Sequence, residues 1–162
     1  MDQASFQVFY EKTAPALRAY AIRSCGSVDV ADDIVQDAFL RFLLSAPIAS
    51  LSEAQMRGYL YRTVETLIVD RWRRLQRERE RTPAPQGFTE IPEENPELAN
   101  AFSQLDPKQR SLLWLAYVED FDHREIAAVA GVKVTSVKVL LFRARQKLAA
   151  LMKTVGVRSE KV

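Results

Sequence analysis

The sequence has very few residues that could form a disulfide or bind a metal ion. Its 162 residues include one cysteine, Cys25, and one histidine, His123. A single cysteine cannot form an internal disulfide, which is typical of a protein from a reducing cytoplasm. One cysteine and one histidine cannot supply the ligands of a structural zinc site. We therefore expect a cytoplasmic protein that needs no metal or other cofactor.

Long apolar runs and catalytic motifs are also missing. No apolar run approaches the roughly 20 residues that cross a bilayer, and the acidic, amphipathic start MDQASFQVFYEK does not resemble a signal peptide, so no membrane insertion is expected. There is no glycine-rich phosphate loop. The neighbouring carboxylates Asp32 and Asp33, and Glu93 and Glu94, do not converge on one helix face. An enzyme acting on a small-molecule substrate is therefore the least expected class.

Apolar and polar residues do not alternate as they would in strands, and helical spacing predominates, which predicts an all-α fold. The net charge is +1 for residues 1–81, −4 for residues 82–105 and +5 for residues 106–162. Residues 82–97, TPAPQGFTEIPEENPE, contain four prolines, four glutamates and no basic residue, so they cannot form a packed core. We predict two small helical domains, residues 1–81 and 98–162, joined by a flexible acidic linker.

Three helices are predicted in the first domain. The first spans residues 5–24 and contains Pro15, which should kink or split it. The second covers residues 30–44. The third follows a capping box that begins at Ser52 and covers residues 53–81. Its last turns, RWRRLQRERER, are too charged to be buried.

The second domain is predicted to begin with a helix near residues 98–104 and to contain a helix-turn-helix. Two stretches, LDPKQR and FDHREIAAVAG, share a helix-start pattern in which an aspartate N-cap is followed by a residue that closes a capping box; the pairs are Asp106 with Gln109 and Asp122 with Glu125. Gly131 should end the short second helix, and a longer helix should begin near Val134. A short helix, a glycine turn and a longer helix are typical of the helix-turn-helix.

A helical wheel of the last helix separates an apolar stripe from an outward face. The stripe comprises Val134, Val137, Leu141, Ala144 and Leu148. The outward face comprises Thr135, Ser136, Val139, Phe142, Arg143 and Gln146, with Lys138, Arg145 and Lys147 on its flanks. Lys138, Arg143 and Arg145 could bind phosphates or guanine edges. Val139 and Phe142 cannot form hydrogen bonds through their side chains but could contact a thymine methyl group. Packing within this protein, contact with DNA and contact with a partner protein all remain possible for these two residues.

Three stretches occur in this order: DVADDIVQDAFLRFL, GYLYRTVETLIVDRWRRLQRERER and LDPKQRSLLWLAYVEDFDHREIAAVAGVKVTSVKVLLFRARQKL. Together they resemble extracytoplasmic-function sigma factors, the small sigma-70 relatives with only domains 2 and 4. The resemblance covers residues 6–151. It implies a protein that binds core RNA polymerase and promoter DNA, directs promoter-specific transcription initiation and is controlled by an anti-sigma factor.

The resemblance assigns contacts to both domains. The ADDIVQDAFLR helix would dock on the β′ clamp helices through Asp33, Gln36, Asp37 and Arg41, unless this is only a solvated face. The YLYRTVETLIVDRWRR helix would bind and melt the −10 element, where rings stack on bases and cations hold phosphates. Its candidates are Tyr59, Tyr61, Arg62, Trp72, Arg73 and Arg74, although Tyr59 could equally belong to the core. The second domain would bind the β flap and recognise the −35 element through Thr135, Ser136, Lys138, Val139, Phe142 and Arg143.

Two departures from the family pattern favour a second hypothesis. Glu65 stands where asparagine is common, and we expect its carboxylate to face the DNA strand and repel phosphate. Val139, Leu140 and Phe142 stand where serine, arginine and histidine are frequent. The alternative is a sigma-like interaction protein, which binds an anti-sigma factor or the polymerase without recognising DNA. The arginine run at the end of the third helix and the basic C-terminal domain oppose it. An ordinary helix-turn-helix repressor accounts only for the C-terminal third and predicts a stable dimer.

Overall fold

The computed structural model describes residues 2–45, 50–81 and 95–160, with side chains described as far as residue 154. Within these ranges the chain forms seven helices and no strand, which confirms the all-α prediction. The helices belong to two compact units, Met1–Thr89 and Glu90–Val162. The first thirteen residues of the predicted linker, 82–94, lie outside the described part of the chain.

The first unit contains three helices, and each of them packs against the other two. They are α1 (Gln3–Cys25), α2 (Val28–Leu44) and α3 (Glu53–Arg81). Aromatic rings join α1 to α2, with the Phe9 and Phe42 ring centroids 5.6 Å apart. On the surface, Arg18 of α1 donates from Nε to the Asp32 carboxylate of α2 at 2.7 Å. The core of this unit is therefore continuous across all three helix pairs.

Local capping explains the helix starts in this unit. Ser27 accepts a hydrogen bond from the N–H of Val30, so α2 begins two residues earlier than predicted. The predicted capping box at α3 is present, because the N–H of Gln55 donates to Ser52 Oγ at 3.2 Å and the N–H of Ser52 donates to Gln55 Oε1 at 2.9 Å. Such a box satisfies two backbone donors that the helix itself leaves unpaired.

Of the kink or split predicted at Pro15, the split is wrong, because α1 continues through Pro15. Proline lacks an N–H and deprives the carbonyl four residues earlier, that of Glu11, of its helical partner. Both Pro15 and Glu11 are exposed, so water can hydrate that carbonyl. The helix ends at Cys25, and the next residue, Gly26, caps it with a φ of +76°, a left-handed conformation that glycine adopts without strain.

The second unit contains α4 (Pro96–Ser103), α5 (Pro107–Tyr117), α6 (His123–Ala130) and α7 (Val134–Glu160). Both predicted capping boxes are present, at the starts of α5 and α6. α7 packs against α4, α5 and α6 and places Val137, Leu141 and Ala144 in the core. The long last helix is thus the centre of this unit.

The predicted C-terminal end of the linker is wrong by two residues. Pro96 and Glu97 form the first turn of α4, and Asn95 caps it by accepting from the N–H of Leu98 at 3.1 Å. Proline suits the first helical position because its fixed φ matches the helix and its missing N–H has no helical partner there. Pro96, one of the four prolines of the predicted linker, is therefore the first residue of α4.

Candidate nucleic-acid and partner interfaces

A tight turn between α6 and α7 positions the last helix. Gly131 ends α6 with φ +68°, and its N–H donates to the carbonyl of Ala127 at 3.0 Å. Residues with a Cβ rarely adopt this conformation. After two further residues α7 begins at Val134, and it packs against α6. This arrangement is the helix-turn-helix that the sequence predicts.

The outward face of α7 is open in the structure. Val139 and Phe142 are 49% and 51% exposed, so packing within the second unit does not account for either residue. Most of the polar candidates share their exposure, and only Ser136 is half-buried; the exposed ones are Thr135, Lys138 and Arg143. These residues are therefore available together to a binding partner.

One member of the predicted apolar stripe does not point into the core. Val137, Leu141 and Ala144 are buried, as predicted, and Leu148 is half-buried. Val134 is exposed instead. It lies in the first turn of α7, three residues before Val137, the first fully buried residue of the helix. The helix therefore enters the core only from its second turn onward.

The sequence of α7 is basic over all but its last residue, Glu160. Residues 126–159 contain no aspartate or glutamate but include seven lysines and arginines. Such a surface attracts phosphate and other anions, with an affinity that falls as salt rises. α7 therefore combines a positive surface with exposed apolar side chains.

Tyr117 and Arg145 form a contact that the sequence does not reveal. Arg145 Nη1 donates to the hydroxyl oxygen of Tyr117 at 2.6 Å. The residues lie on α5 and α7, and 28 positions separate them in the chain. The wheel places Arg145 on a flank of α7, but no pattern in the sequence indicates that the last residue of α5 meets it.

The two tyrosines proposed for the −10 contact have different environments. Tyr59 is half-buried, and its hydroxyl lies 3.0 Å from Ser45 Oγ. Tyr61 is fully buried against Tyr20 of α1, with ring centroids 5.4 Å apart. The assignment of Tyr61 to a strand-facing surface is therefore wrong, because its ring belongs to the α1–α3 core.

The basic end of α3 brings an aromatic ring next to arginines. Trp72 is half-buried, and together with Arg73 it lines an open depression; the other described lining residues are Asp70, Gln76 and Arg77. Arg62 and Arg74 are exposed. From residue 70 to the end of α3 no residue is buried, so this segment is accessible, as predicted.

Glu65 does not lie on the surface. Its side chain is only 6% exposed, on the part of α3 that also buries Tyr61 and Ile68. The expectation that its carboxylate faces a DNA strand is therefore wrong. Repulsion between Glu65 and phosphate no longer argues against DNA binding by this helix.

The exposed face of α2 is acidic at one end and apolar at the other. Asp33 and Gln36 are exposed, and the Asp37 carboxylate accepts from Arg41 Nε at 3.0 Å. The sequence reasoning missed three leucines that extend this face toward the C-terminus of α2, all of them more than half exposed: Leu40, Leu43 and Leu44. Helical spacing from Asp33 and Gln36 identifies them, because residues three or four positions apart share a face.

None of the described helices is both long and apolar enough to span a membrane.

Two family profiles match the sequence: "Sigma-70 region 2" over residues 9–78, and "Sigma-70, region 4" over residues 96–148. The protein therefore belongs to the class of sigma-70 proteins that have regions 2 and 4. Over 150 residues the chain is 33% identical to the ECF RNA polymerase sigma factor EcfG of Rhodopseudomonas palustris strain TIE-1. The aligned region covers 88% of this chain and 82% of that protein. The chain belongs to the extracytoplasmic-function (ECF) RNA polymerase sigma factors.

Solved structures have the same fold. The sigma factor RpoE of Bartonella quintana, co-crystallised with the anti-sigma factor NepR, gives a TM-score of 0.73 at 23% identity, over 92% of this chain and 97% of that one. CnrH, in complex with the cytosolic domain of CnrY, gives a TM-score of 0.67 at 27% identity, over 94% and 90% of the two chains.

Proposed function

We propose that this protein binds core RNA polymerase and directs it to promoters, and that an anti-sigma factor holds it until it is needed. The proposal rests on one observation: this ECF family chain has two solvent-exposed surfaces. One is the acidic and apolar face of α2, and the other is the basic face of α7. A helix-turn-helix repressor needs the second surface but gives no role to the first. The protein would act in the cytoplasm and would have no catalytic activity of its own.

The first unit would dock on the β′ clamp helices through α2. Asp33, Gln36, Asp37 and Arg41 supply the polar part of that contact. Leu40 and Leu43 extend it with apolar surface, which supplies the burial that stabilises most protein interfaces. An exposed acidic edge beside an apolar patch suits a partner helix with basic and apolar residues.

The same unit would bind the −10 element through α3. Trp72 offers a ring for an unstacked base, and Arg62, Arg73 and Arg74 offer charges for the phosphates of the displaced strand. Tyr59 is half-buried and can contribute the exposed part of its side chain. Tyr61 supports this surface from inside, because its ring fixes α3 against α1.

The second unit would recognise the −35 element through α7 and bind the β flap. Lys138 and Arg143 can donate to guanine edges or phosphates, and Thr135 and Ser136 can donate at the start of the helix. Val139 and Phe142 would contact thymine methyl groups. We therefore expect the −35 sequence to include thymine within reach of these two side chains.

Run-off transcription with core polymerase tests the proposal directly. The templates are fragments of the source genome, including the DNA upstream of this protein's own gene. A discrete transcript that depends on the protein supports the function and supplies the promoter for further work. Binding to core polymerase without a transcript from any fragment would contradict it.

The exposed apolar pair on α7 favours one alternative, a sigma-like protein that binds partners without recognising DNA. The burial of Glu65 removes one of its two original supports. The double substitution Val139→Ala with Phe142→Ala separates the two functions, because both side chains are exposed and the fold should persist. Loss of anti-sigma binding with unchanged promoter affinity would favour the alternative, and loss of promoter affinity would favour the sigma function.

A further inference from the structure

The hydrogen bond between Tyr117 and Arg145 joins two exposed side chains on different helices. Tyr117 is 61% exposed, Arg145 is also exposed, and the donor and acceptor atoms are 2.6 Å apart. When an arginine pairs with a carboxylate, the negative charge of the carboxylate offsets the positive charge of the guanidinium. Within the described part of the chain, the partner of Arg145 is a neutral hydroxyl. The guanidinium therefore keeps its full charge while the tyrosine restricts its orientation.

The contact leaves suitable donors free. The tyrosine oxygen accepts from Nη1, so its own O–H remains available to donate. A guanidinium carries five N–H donors, and among the residues that the structure describes one of them is used, by Tyr117. Polarisation by the neighbouring cation makes the tyrosine a stronger donor than an isolated hydroxyl. An anion with several oxygens, such as a phosphate, could accept from both residues at once.

The position on α7 places this pair next to the candidate DNA contacts. Arg145 lies three residues after Phe142 and seven after Lys138, so all three lie along the same side of the helix. Seven residues correspond to about 10 Å along the helix axis. In helix-turn-helix proteins, phosphate contacts at the edges of the recognition helix fix its register in the groove.

We propose that Tyr117 and Arg145 together bind one phosphate of the promoter backbone, beside the groove that α7 enters. This inference rests on the proposed function. Tyr117 acts in two ways, because it holds the Arg145 guanidinium in place and donates its own hydroxyl hydrogen to the phosphate. The pair sets the register of α7 without contributing base specificity.

The test measures promoter affinity of the full chain bound to core polymerase, at several salt concentrations, on a promoter found by run-off transcription. Arg145→Gln should weaken binding about tenfold or more, as expected for a lost charged hydrogen bond. It should also reduce the slope of log affinity against log salt by about 0.9, since one phosphate contact is lost. Lys147→Gln is the matched control, because it removes one charge from the same helix on another side and should change affinity less.

Tyr117→Phe isolates the hydroxyl. It should weaken binding severalfold at every salt concentration and leave the salt slope unchanged, because the hydroxyl is uncharged. Added to Arg145→Gln, it should have little further effect, since the two residues act on one phosphate. If the contact only held α5 against α7, Tyr117→Phe would lower thermal stability but would not produce this pattern of promoter affinities.

The possible failures are distinguishable. If the wild type binds the promoter and Tyr117→Phe binds equally well, the phosphate contact is excluded and the sigma function stands. If Tyr117→Phe weakens anti-sigma binding instead of promoter binding, the pair belongs to a protein interface and the proposal fails. If run-off transcription finds no promoter for the wild-type protein, both the phosphate contact and the proposed function fail.

Discussion

Tyr20 of α1 and Tyr61 of α3 pack ring against ring inside the first unit, with centroids 5.4 Å apart and planes at 50°. Both side chains are fully buried. Such aromatic pairs contribute about 0.5–1.5 kcal/mol beyond the burial of their surface. The pair therefore joins the helix that carries the −10 candidates to the N-terminal helix, and it fixes the orientation of the exposed side of α3.

Tyr61→Ala should destabilise the protein by about 3–5 kcal/mol, the usual cost of removing a large buried aromatic side chain. Tyr61→Phe keeps the ring and should cost much less. Urea unfolding followed by circular dichroism measures both changes. If Tyr61→Ala unfolds at the same urea concentration as the wild type but no longer supports transcription, Tyr61 contacts DNA and does not stabilise the core.

The burial of Tyr61 and Glu65 was not predictable from apolar spacing. On a wheel of α3 the buried residues, from Met56 to Val69, cover an arc of about 220°. A helix that packs on one neighbour buries a narrower stripe, which is what the spacing of Leu60 and Val64 indicates. α3 packs on both α1 and α2, and this wider contact encloses a tyrosine and a glutamate.

Local signals, in contrast, predicted most of the fold. The capping boxes at Ser52, Asp106 and Asp122 and the glycine at 131 act within one helical turn, so they can be recognised without tertiary information. Contacts between distant helices, such as that of Tyr117 with Arg145, depend on how helices pack. The sequence therefore predicted which residues of the candidate site share a helix, but it did not predict which residues of different helices contact each other.

Trp72→Ala should reduce run-off transcription about tenfold, because stacking of one base on an aromatic ring contributes about 1–3 kcal/mol. Trp72 is only half-buried, so stability should change far less than in Tyr61→Ala. Trp72→Phe retains a ring and should keep most of the activity. Equal transcription by the alanine variant and the wild type would exclude a stacking role for Trp72.

Asp120 adopts φ +54° in the turn between α5 and α6. Left-handed backbone costs about 1–2 kcal/mol for residues with a Cβ, although aspartate tolerates it better than most. Asp120→Val should therefore destabilise the protein by about 1–2 kcal/mol, since a β-branched residue resists this conformation most. Asp120→Gly relieves the strain and should be at least as stable as the wild type, apart from a small entropy cost. Thermal unfolding compares the three proteins, and a valine variant as stable as the glycine variant would show that the turn is not strained.

Leu40→Ser tests whether the apolar part of the α2 face binds polymerase. The side chain is 56% exposed, so the substitution should leave folding intact. Burying a leucine at an interface contributes about 1.5–3 kcal/mol, which predicts a loss of core polymerase affinity of about tenfold or more. Val8→Ser, at another exposed apolar position in the same unit, is the matched control and should bind normally.

Competition for core polymerase against the labelled wild-type protein gives both affinities. Because the leucine contact is apolar, the deficit of Leu40→Ser should persist at high salt. A deficit caused by substitution of Asp33 should instead shrink as salt screens the charge. Unchanged affinity of Leu40→Ser, with reduced affinity on substitution of Asp33, would confine the interface to the acidic end of α2. Such a result would leave the exposed leucines to another partner, for which an anti-sigma factor is the first candidate.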